Sequence, residues 1–70
     1  MSELTLQGEQ ITLAQAIKAA GLVGSGGQAK HLVRGRTVTV NGVVETQPGR
    51  KLHEGDRFRV AEGEEWTVRR

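Results

Sequence analysis

Apolar residues near the start of the chain recur at the spacing of a helix. Thr12 can accept hydrogen bonds from the first free amides, and Gln15 can complete a capping box. Gly21 ends the pattern, because glycine takes positive φ most easily. The apolar face consists of Leu13, Ala16, Ile17 and Ala20. This spacing predicts a short amphipathic helix that leaves Lys18 exposed.

The residues that follow repeat this plan. Ser25 stands at the N-cap position with Gln28 three residues on, and Gly35 stops the helix. The apolar face consists of Ala29, Leu32 and Val33. Lys30 and Arg34 lie four residues apart on the opposite side. Because the connection is short and has glycine at both ends, the two helices are expected to form a compact helix-turn-helix.

From residue 37 onward the apolar period becomes that of a strand. Residues 37–40 alternate, and Asn41-Gly42 is the strongest short signal for a hairpin turn. Val43-Val44 begins the returning strand, which Pro48-Gly49 interrupts. Further alternating segments are 3–7, 57–60 and 65–69. The predicted fold class is α+β, with two short helices packed on a small, mostly antiparallel sheet.

Length and composition limit what such a chain can do. With 70 residues it has room for one domain, expected to span 1–70. It has no cysteine, and His31 and His53 lie too far apart in sequence to indicate a metal site. Neither a secretory signal nor a long apolar segment is found, so a cytoplasmic protein without membrane contact is expected. No catalytic arrangement stands out, and we expect a non-enzyme without a cofactor.

Charge is distributed unevenly along the chain. Residues 28–59 hold seven Lys or Arg against three acidic residues, a net of +4, whereas the rest of the chain is net −2. A basic centre of this kind is typical of a surface that binds a polyanion. An ordinary solvated face is the alternative.

Three cations on and just after the second predicted helix are the first candidates for phosphate contact. Lys30 and Arg34 share a face, and Arg36 follows the glycine stop. Together they can follow adjacent phosphates on one RNA strand, which gives affinity and salt dependence with little sequence discrimination. Arg50 and Lys51 widen the predicted surface, and the pair Arg57 and Arg59 either widens it further or lies outside it.

The start of the second helix is a further candidate. The segment from Ser25 through Gly26 and Gly27 to Gln28 lacks the Gly-Lys-Ser/Thr of a nucleotide-binding loop. Its glycines can still let a phosphate approach the free amides of a helix start, or they merely relieve crowding between the helices. His31, on the rim of the helix, either touches phosphate or ribose or is an ordinary surface residue.

The aromatic residues are expected to serve the core. Phe58 and Trp66 both lie in the apolar rows of strands, while Arg57 and Arg59 share the opposite face of theirs. Binding of single strands by base stacking needs exposed aromatic side chains. The predicted target is therefore structured RNA, recognised by its shape and backbone.

These segments together resemble the S-four RNA-binding domain, also called the alpha-L motif. The matching features are Ser25, Ala29, Gly35, the run Val38-Thr39-Val40-Asn41-Gly42, and Gly55-Asp56. The resemblance covers about residues 12–60, the core of the motif. The chain is most similar to short stand-alone bacterial members, whose second helix opens with Ser-Gly-Gly or Ser-Gly-Ala followed by Gln-Ala-Lys.

The resemblance implies a function as well as a fold. Larger members carry the domain on pseudouridine synthases, tyrosyl-tRNA synthetases and ribosomal proteins, where it holds structured rRNA or tRNA. We therefore expect a monomeric, ribosome-associated or assembly factor, with a ribosomal or RNA-modifying protein as a candidate partner. The expected RNA-binding residues are Ser25, Gly26, Gly27, Gln28, Lys30, His31, Arg34, Arg36, Arg50 and Lys51. Many members have Arg or Lys at the position of Gly26, so this chain is expected to bind with lower or differently distributed affinity.

Other classes of protein fit the sequence less well. A protein-interaction module could dock its basic face on an acidic partner. A ubiquitin-like sulfur carrier is disfavoured because the chain ends in Arg69-Arg70 instead of Gly-Gly. A DNA-binding protein is disfavoured because the second helix lacks a run of polar side chains that read bases.

Overall fold

A computed structural model describes residues 2–70, which form two helices and seven strands. The helices are α1 (Leu13–Ala19) and α2 (Gly26–Arg34). The strands are β1 (Ser2–Thr5), β2 (Ile11–Thr12), β3 (Val38–Val40), β4 (Val43–Val44), β5 (Lys51–Leu52), β6 (Arg57–Val60) and β7 (Glu65–Arg69). Among these residues, no helix has the length and apolarity to cross a membrane.

Within the described residues, five strands form one sheet in the order β1-β7-β6-β3-β4. All neighbours in it are antiparallel except β1 and β7, which run parallel. The remaining strands, β2 and β5, form a separate two-stranded antiparallel ribbon. The predicted α+β class with a mostly antiparallel sheet is confirmed. The ribbon and the parallel pair were not predicted.

Both helices pack on one face of the five-stranded sheet. Their buried residues share one cluster with those of the strands: Leu13, Ala14, Ala16, Ile17, Ala29 and Val33 with Val38, Val40, Phe58 and Val68. Phe58 is fully buried and stacks on the half-buried Trp66 at 6.4 Å between ring centroids. Strand alternation places Arg57 and Arg59 on the opposite, uncovered face of the sheet.

The ribbon fixes the N-terminus of α1 to a distant loop. Ile11 pairs with Leu52, and Thr12 pairs with Lys51. The first amides of α1 then donate to that loop, from Leu13 to the Arg50 carbonyl at 2.8 Å and from Ala14 to the Pro48 carbonyl at 3.1 Å. Free amides at a helix start need partners, and the loop after β4 supplies two of them here.

The helix starts follow the predicted chemistry with one difference. At α1, Thr12 Oγ1 accepts from the Gln15 amide and Gln15 Oε1 accepts from the Thr12 amide, which confirms the capping box. At α2, Ser25 Oγ accepts from the Gln28 amide at 3.2 Å as expected. The Gln28 side chain reaches one residue further back and accepts from the Gly24 amide at 2.8 Å. This hydrogen bond ties the end of the connection between the helices to the first turn of α2.

Both helices end in the same pattern of two backbone hydrogen bonds. The residue that takes positive φ is a glycine after α1 and an arginine after α2. After α1, the Gly21 amide donates to the Lys18 carbonyl at 2.9 Å and the Leu22 amide donates to the Ile17 carbonyl at 3.3 Å. Gly21 has φ +77°. After α2, Gly35 has φ −80°. The residue with positive φ is Arg36, at +64°. Gly35 therefore ends the helix as predicted, but the left-handed turn falls on an arginine.

An amide and a carboxylate join the turn between β3 and β4 to the turn that precedes β6. Asn41 donates from Nδ2 to Asp56 Oδ1 at 3.2 Å and accepts from the Arg57 amide at 2.9 Å. The other oxygen of Asp56 accepts from the His53 amide at 2.8 Å. Burial raises the pKa of Asp56, but the hydrogen bonds from His53 and Asn41 outweigh it, and the net pKa is lowered.

This network predicts a loss of stability in acid that depends on Asp56. Because its pKa is lowered in the folded state, its contribution is present above the unfolded-state pKa of about 4 and is lost as pH falls through the folded value. Asp56→Asn should cost about 1–2 kcal/mol at pH 7, since one amide loses its acceptor. Its free energy of unfolding should then vary less than that of the parent below about pH 4. Urea unfolding at several pH values would measure both, and parallel curves would contradict the assignment.

Candidate nucleic-acid interface

The outer side of α2 carries cations that no carboxylate neutralises. Lys30 and Arg34 are exposed and four residues apart, so they are neighbours on the helix surface. Neither forms an ion pair within residues 2–70. The sequence explains why: no Asp or Glu occurs between Glu9 and Glu45. The positive field of this side is therefore available to an external anion.

Arg36 lies just past the end of α2, and Lys30, Arg34 and Arg36 are together called the cationic row. Its left-handed backbone is held on both sides, because its own amide donates to the Val33 carbonyl at 3.2 Å and Thr37 Oγ1 donates to the Leu32 carbonyl at 2.7 Å. The side chain is exposed and has no ion pair within residues 2–70. A bulky residue in this region is strained by about 1 kcal/mol or more. Strain of this kind is frequent at functional positions.

The start of α2 borders two different grooves. Gly26 and Lys30 line a groove shared with α1 and the loop after β4, together with Thr12, Ala14, Gln15, Lys18, Pro48 and Gly49. Gly27, Gln28 and His31 line a more apolar groove on the other side, together with Gly21, Leu22, Val23, Gly24 and Leu32. The predicted site residues of α2 are therefore divided between two surfaces of the helix. His31 shares the apolar one.

The loop after β4 is organised around one carboxylate. Glu45 accepts from the amides of Thr46 and Gln47 at 3.1 Å each and from Arg50 Nη1 at 2.8 Å. The Arg50 guanidinium, followed by the Gln47 amide, holds the pKa of Glu45 below its ordinary value. Arg50 is thus ion-paired, in contrast to Lys30. Lys51, in the adjacent strand β5, is exposed and has no ion pair within residues 2–70.

The cations on the uncovered face of the sheet lie away from α2. Arg57 is 4.0 Å from Glu65, and Arg69 is 3.0 Å from Glu3. Arg59 is exposed on the same face and is paired in register with Thr39 of β3 and Glu65 of β7. The helices cover the other side of the sheet, so these arginines do not join the row formed by Lys30, Arg34 and Arg36.

Comparison with known proteins decides the family. The sequence model described as S4 domain matches residues 4–69. The chain belongs to the S4 domain family. The S-four resemblance inferred from the sequence is confirmed. The chain is also 40% identical over 53 residues to the probable ribosome maturation protein RlbA of Bacillus subtilis (strain 168), which covers 76% of this chain and 75% of the relative.

The structure gives the S-four signature residues physical roles in this chain. Ser25 caps α2, and Ala29 is fully buried on the inner face of that helix. Asn41, after β3, is hydrogen-bonded to Asp56, before β6, and each has a glycine of positive φ beside it in its turn. These parts of the signature therefore specify the scaffold. The exposed cations of α2 are left as the residues free to bind.

Two features of the site were missed from the sequence. Lys18 was predicted only to be exposed, yet it lines the same groove as Lys30. The ion pair between Glu45 and Arg50 was not predicted either. The acid-free stretch between Glu9 and Glu45 was a signal that could have added Lys18 to the candidates.

Arg36 allows stability and binding to be separated. Arg36→Gly should raise the free energy of unfolding by about 0.5–1 kcal/mol, because glycine relieves the left-handed strain. Arg36→Ala removes the same charge but keeps the Cβ, so it should leave stability within about 0.5 kcal/mol of the parent. Urea unfolding compares the two variants. Equal stabilities for Arg36→Gly and Arg36→Ala would show that the turn is not strained.

Proposed function

We propose that this chain is a non-catalytic binding module for structured RNA, either rRNA or tRNA, that acts in ribosome maturation or assembly. The observation that carries the proposal is the row of exposed cations Lys30, Arg34 and Arg36, which form no ion pair within residues 2–70. Exposed cations that follow one another along a rigid element suit a phosphate backbone. Membership of the S4 domain family and the name of the Bacillus subtilis relative support the same class of function.

The burial of the aromatic side chains supports structured RNA over single strands. Phe58 is 1% exposed and Trp66 is half-buried against it. Among the described residues there is therefore no exposed aromatic side chain on which bases could stack. A rigid cationic surface can instead follow the backbone of a folded RNA.

The wider role is part of the same proposal. The binding unit is a single domain whose core lies at about 12–60, and it acts in the cytoplasm as a monomer. A ribosomal or RNA-modifying protein is a candidate partner. Ser25 to Gln28, His31, Arg50 and Lys51 are proposed to flank the central cations. Of these, Arg50 contributes least, because Glu45 shares its charge.

An NMR titration tests the proposal. The labelled protein is mixed with a ribosomal RNA stem-loop and, separately, with an unstructured strand of the same composition, each at low and moderate salt. We expect shifts clustered on 25–36 with the stem-loop alone, and we expect them to fade as salt rises, because phosphate contacts release counterions. The absence of shifts with either RNA would overturn the proposal.

A docking module for an acidic protein is the second candidate. The exposed cations of α2 suit an acidic surface, and the apolar groove beside α2, where Leu22 is 42% exposed, suits a protein partner. In that case, RNA should bind weakly and without salt dependence, and a protein should co-purify with the chain. The titration separates the two functions.

A further inference from the structure

Lys18 and Lys30 come from different helices but line the same groove. Lys18 lies in the last turn of α1, and Lys30 lies in the middle of α2. The groove, of about 410 Å³, is closed on its third side by Pro48 and Gly49. Its position next to Lys30 makes it continuous with the cationic row of α2. Lys18 has no other assigned role, since its side chain is exposed and lacks an ion pair within residues 2–70.

The chemistry of the groove suits an anion. Two of its lining residues are lysines and none is acidic. A concave surface of one charge sign focuses the electrostatic potential. Two glycines in its walls leave it open, since a Cβ at Gly26 or Gly49 would meet no atom within 4 Å.

The walls of the groove are fixed before any ligand arrives. The Pro48 carbonyl accepts from the Ala14 amide at 3.1 Å, which holds the loop against α1. The ion pair of Glu45 and Arg50 at 2.8 Å closes the same loop on itself. Because the loop is already ordered, binding costs little conformational entropy.

We propose that this groove holds one internal phosphodiester of the bound RNA, contacted by Lys18 from α1 and by Lys30 from α2. The proposal rests on the proposed function and extends the binding surface to a helix outside the predicted site. The cationic row then runs from Lys18 through Lys30 and Arg34 to Arg36. An RNA strand that follows it would cross both helices.

The first test compares Lys18→Gln with Arg59→Gln. Each removes one exposed, unpaired cation, but Arg59 lies on the uncovered face of the sheet. Binding to a ribosomal RNA stem-loop is measured at several salt concentrations. We expect Lys18→Gln to weaken binding about tenfold and to lower the slope of log K against log salt by about 0.7–0.9, as for the loss of one phosphate contact. Arg59→Gln should leave the slope unchanged. Equal effects of the two variants would overturn the proposal.

A neutral backbone linkage locates the phosphate. Stem-loops are prepared with a methylphosphonate at each internal position in turn. At one of these positions, the substitution should weaken binding of the stem-loop to the parent protein. The same methylphosphonate should have little further effect on binding to the Lys18→Gln variant, because the change in the RNA and the change in the protein remove the same contact. The assignment would be overturned if the losses of affinity from Lys18→Gln and from the methylphosphonate simply added at every internal linkage. It would also be overturned if Lys18→Gln were coupled only to removal of a terminal phosphate from the RNA.

Substitutions of the two glycines give a steric control. Gly26→Leu places a side chain in the lysine groove, whereas Gly27→Leu places one in the apolar groove on the other side. Both positions are helical, so both variants should fold. We expect only Gly26→Leu to abolish the coupling between Lys18 and the neutral linkage. If the parent binds the stem-loop and all these variants behave alike, the groove assignment fails while the proposed function stands.

Discussion

Replacing Lys30 and Arg34 together by alanine is expected to reduce affinity for a structured RNA by about 30- to 150-fold at moderate salt. The estimate takes each contact with a charged group at about 1–1.5 kcal/mol, toward the lower end for hydrogen bonds of this type because both side chains are exposed. The slope of log K against log salt should fall by about 1.5, corresponding to two lost phosphate contacts. Binding to a ribosomal RNA stem-loop at several salt concentrations measures both quantities.

The fold should survive this double substitution. Both side chains are exposed on α2 and form no ion pair within residues 2–70, so no buried group loses a partner. Alanine is also the strongest helix former. The free energy of unfolding should therefore stay within about 0.5 kcal/mol of the parent. A change in binding can then be attributed to the surface itself.

The matched control removes two cations from the other side of the molecule. Arg57→Ala with Arg59→Ala gives the same net charge but alters the uncovered face of the sheet. If binding depends on local contacts at α2, this control should lose affinity only a few-fold, through the weaker long-range field. Equal losses in the two double variants would show that net charge alone attracts the RNA.

The local patterns of the sequence predicted most of the fold. The helix caps at Thr12 and Ser25 and the turn at Asn41-Gly42 depend on residues within a few positions of each other. The ribbon of β2 and β5 was missed for the opposite reason. It joins Ile11 to Leu52 through strands of two residues, too short to show any period. The parallel pairing of β1 with β7 likewise joins the two ends of the chain, which no local pattern records.

In the candidate site, too, the residues set by local patterns were predicted and those set by tertiary contacts were missed. Lys30 and Arg34 were identified because four residues on one helix define a shared face. The groove that includes Lys18 requires α1, α2 and the loop at Gly49 to meet, which is a tertiary relation. The conformation of Arg36 was also out of reach, because glycine at position 35 is the usual residue for a left-handed helix end. The structure places that turn one residue later.

Replacing Phe58 by alanine should have the largest effect on stability. Its side chain is 1% exposed, lies between the sheet and the helices, and stacks on Trp66. Truncation of a buried phenylalanine costs about 3–5 kcal/mol, from lost transfer energy and the cavity that remains. A domain of 70 residues is expected to have a total stability of only about 3.5–10 kcal/mol. A substantial unfolded population is therefore expected at 25 °C.

Far-UV circular dichroism in urea measures this loss, and Arg59→Ala is the control from the next residue of the same strand. Because Arg59 lies on the uncovered face, its truncation should change stability by no more than about 0.5 kcal/mol. A Phe58→Ala variant within about 1 kcal/mol of the parent would show that the core can collapse around the missing ring.

The two large effects can be told apart by adding RNA. Phe58→Ala leaves the row of Lys30, Arg34 and Arg36 intact, so RNA should bind its folded fraction and draw the population toward the folded state. At an RNA concentration of about 100 times the Kd, this linkage contributes about 2.7 kcal/mol, which offsets most of the loss. The double variant of Lys30 and Arg34 is expected to be folded without RNA, and RNA should stabilise it far less because its affinity is lower. The dispersed amide spectrum of the labelled protein reports refolding. Failure of RNA to restore that spectrum in a partly folded Phe58→Ala variant would show that the folded form does not bind RNA.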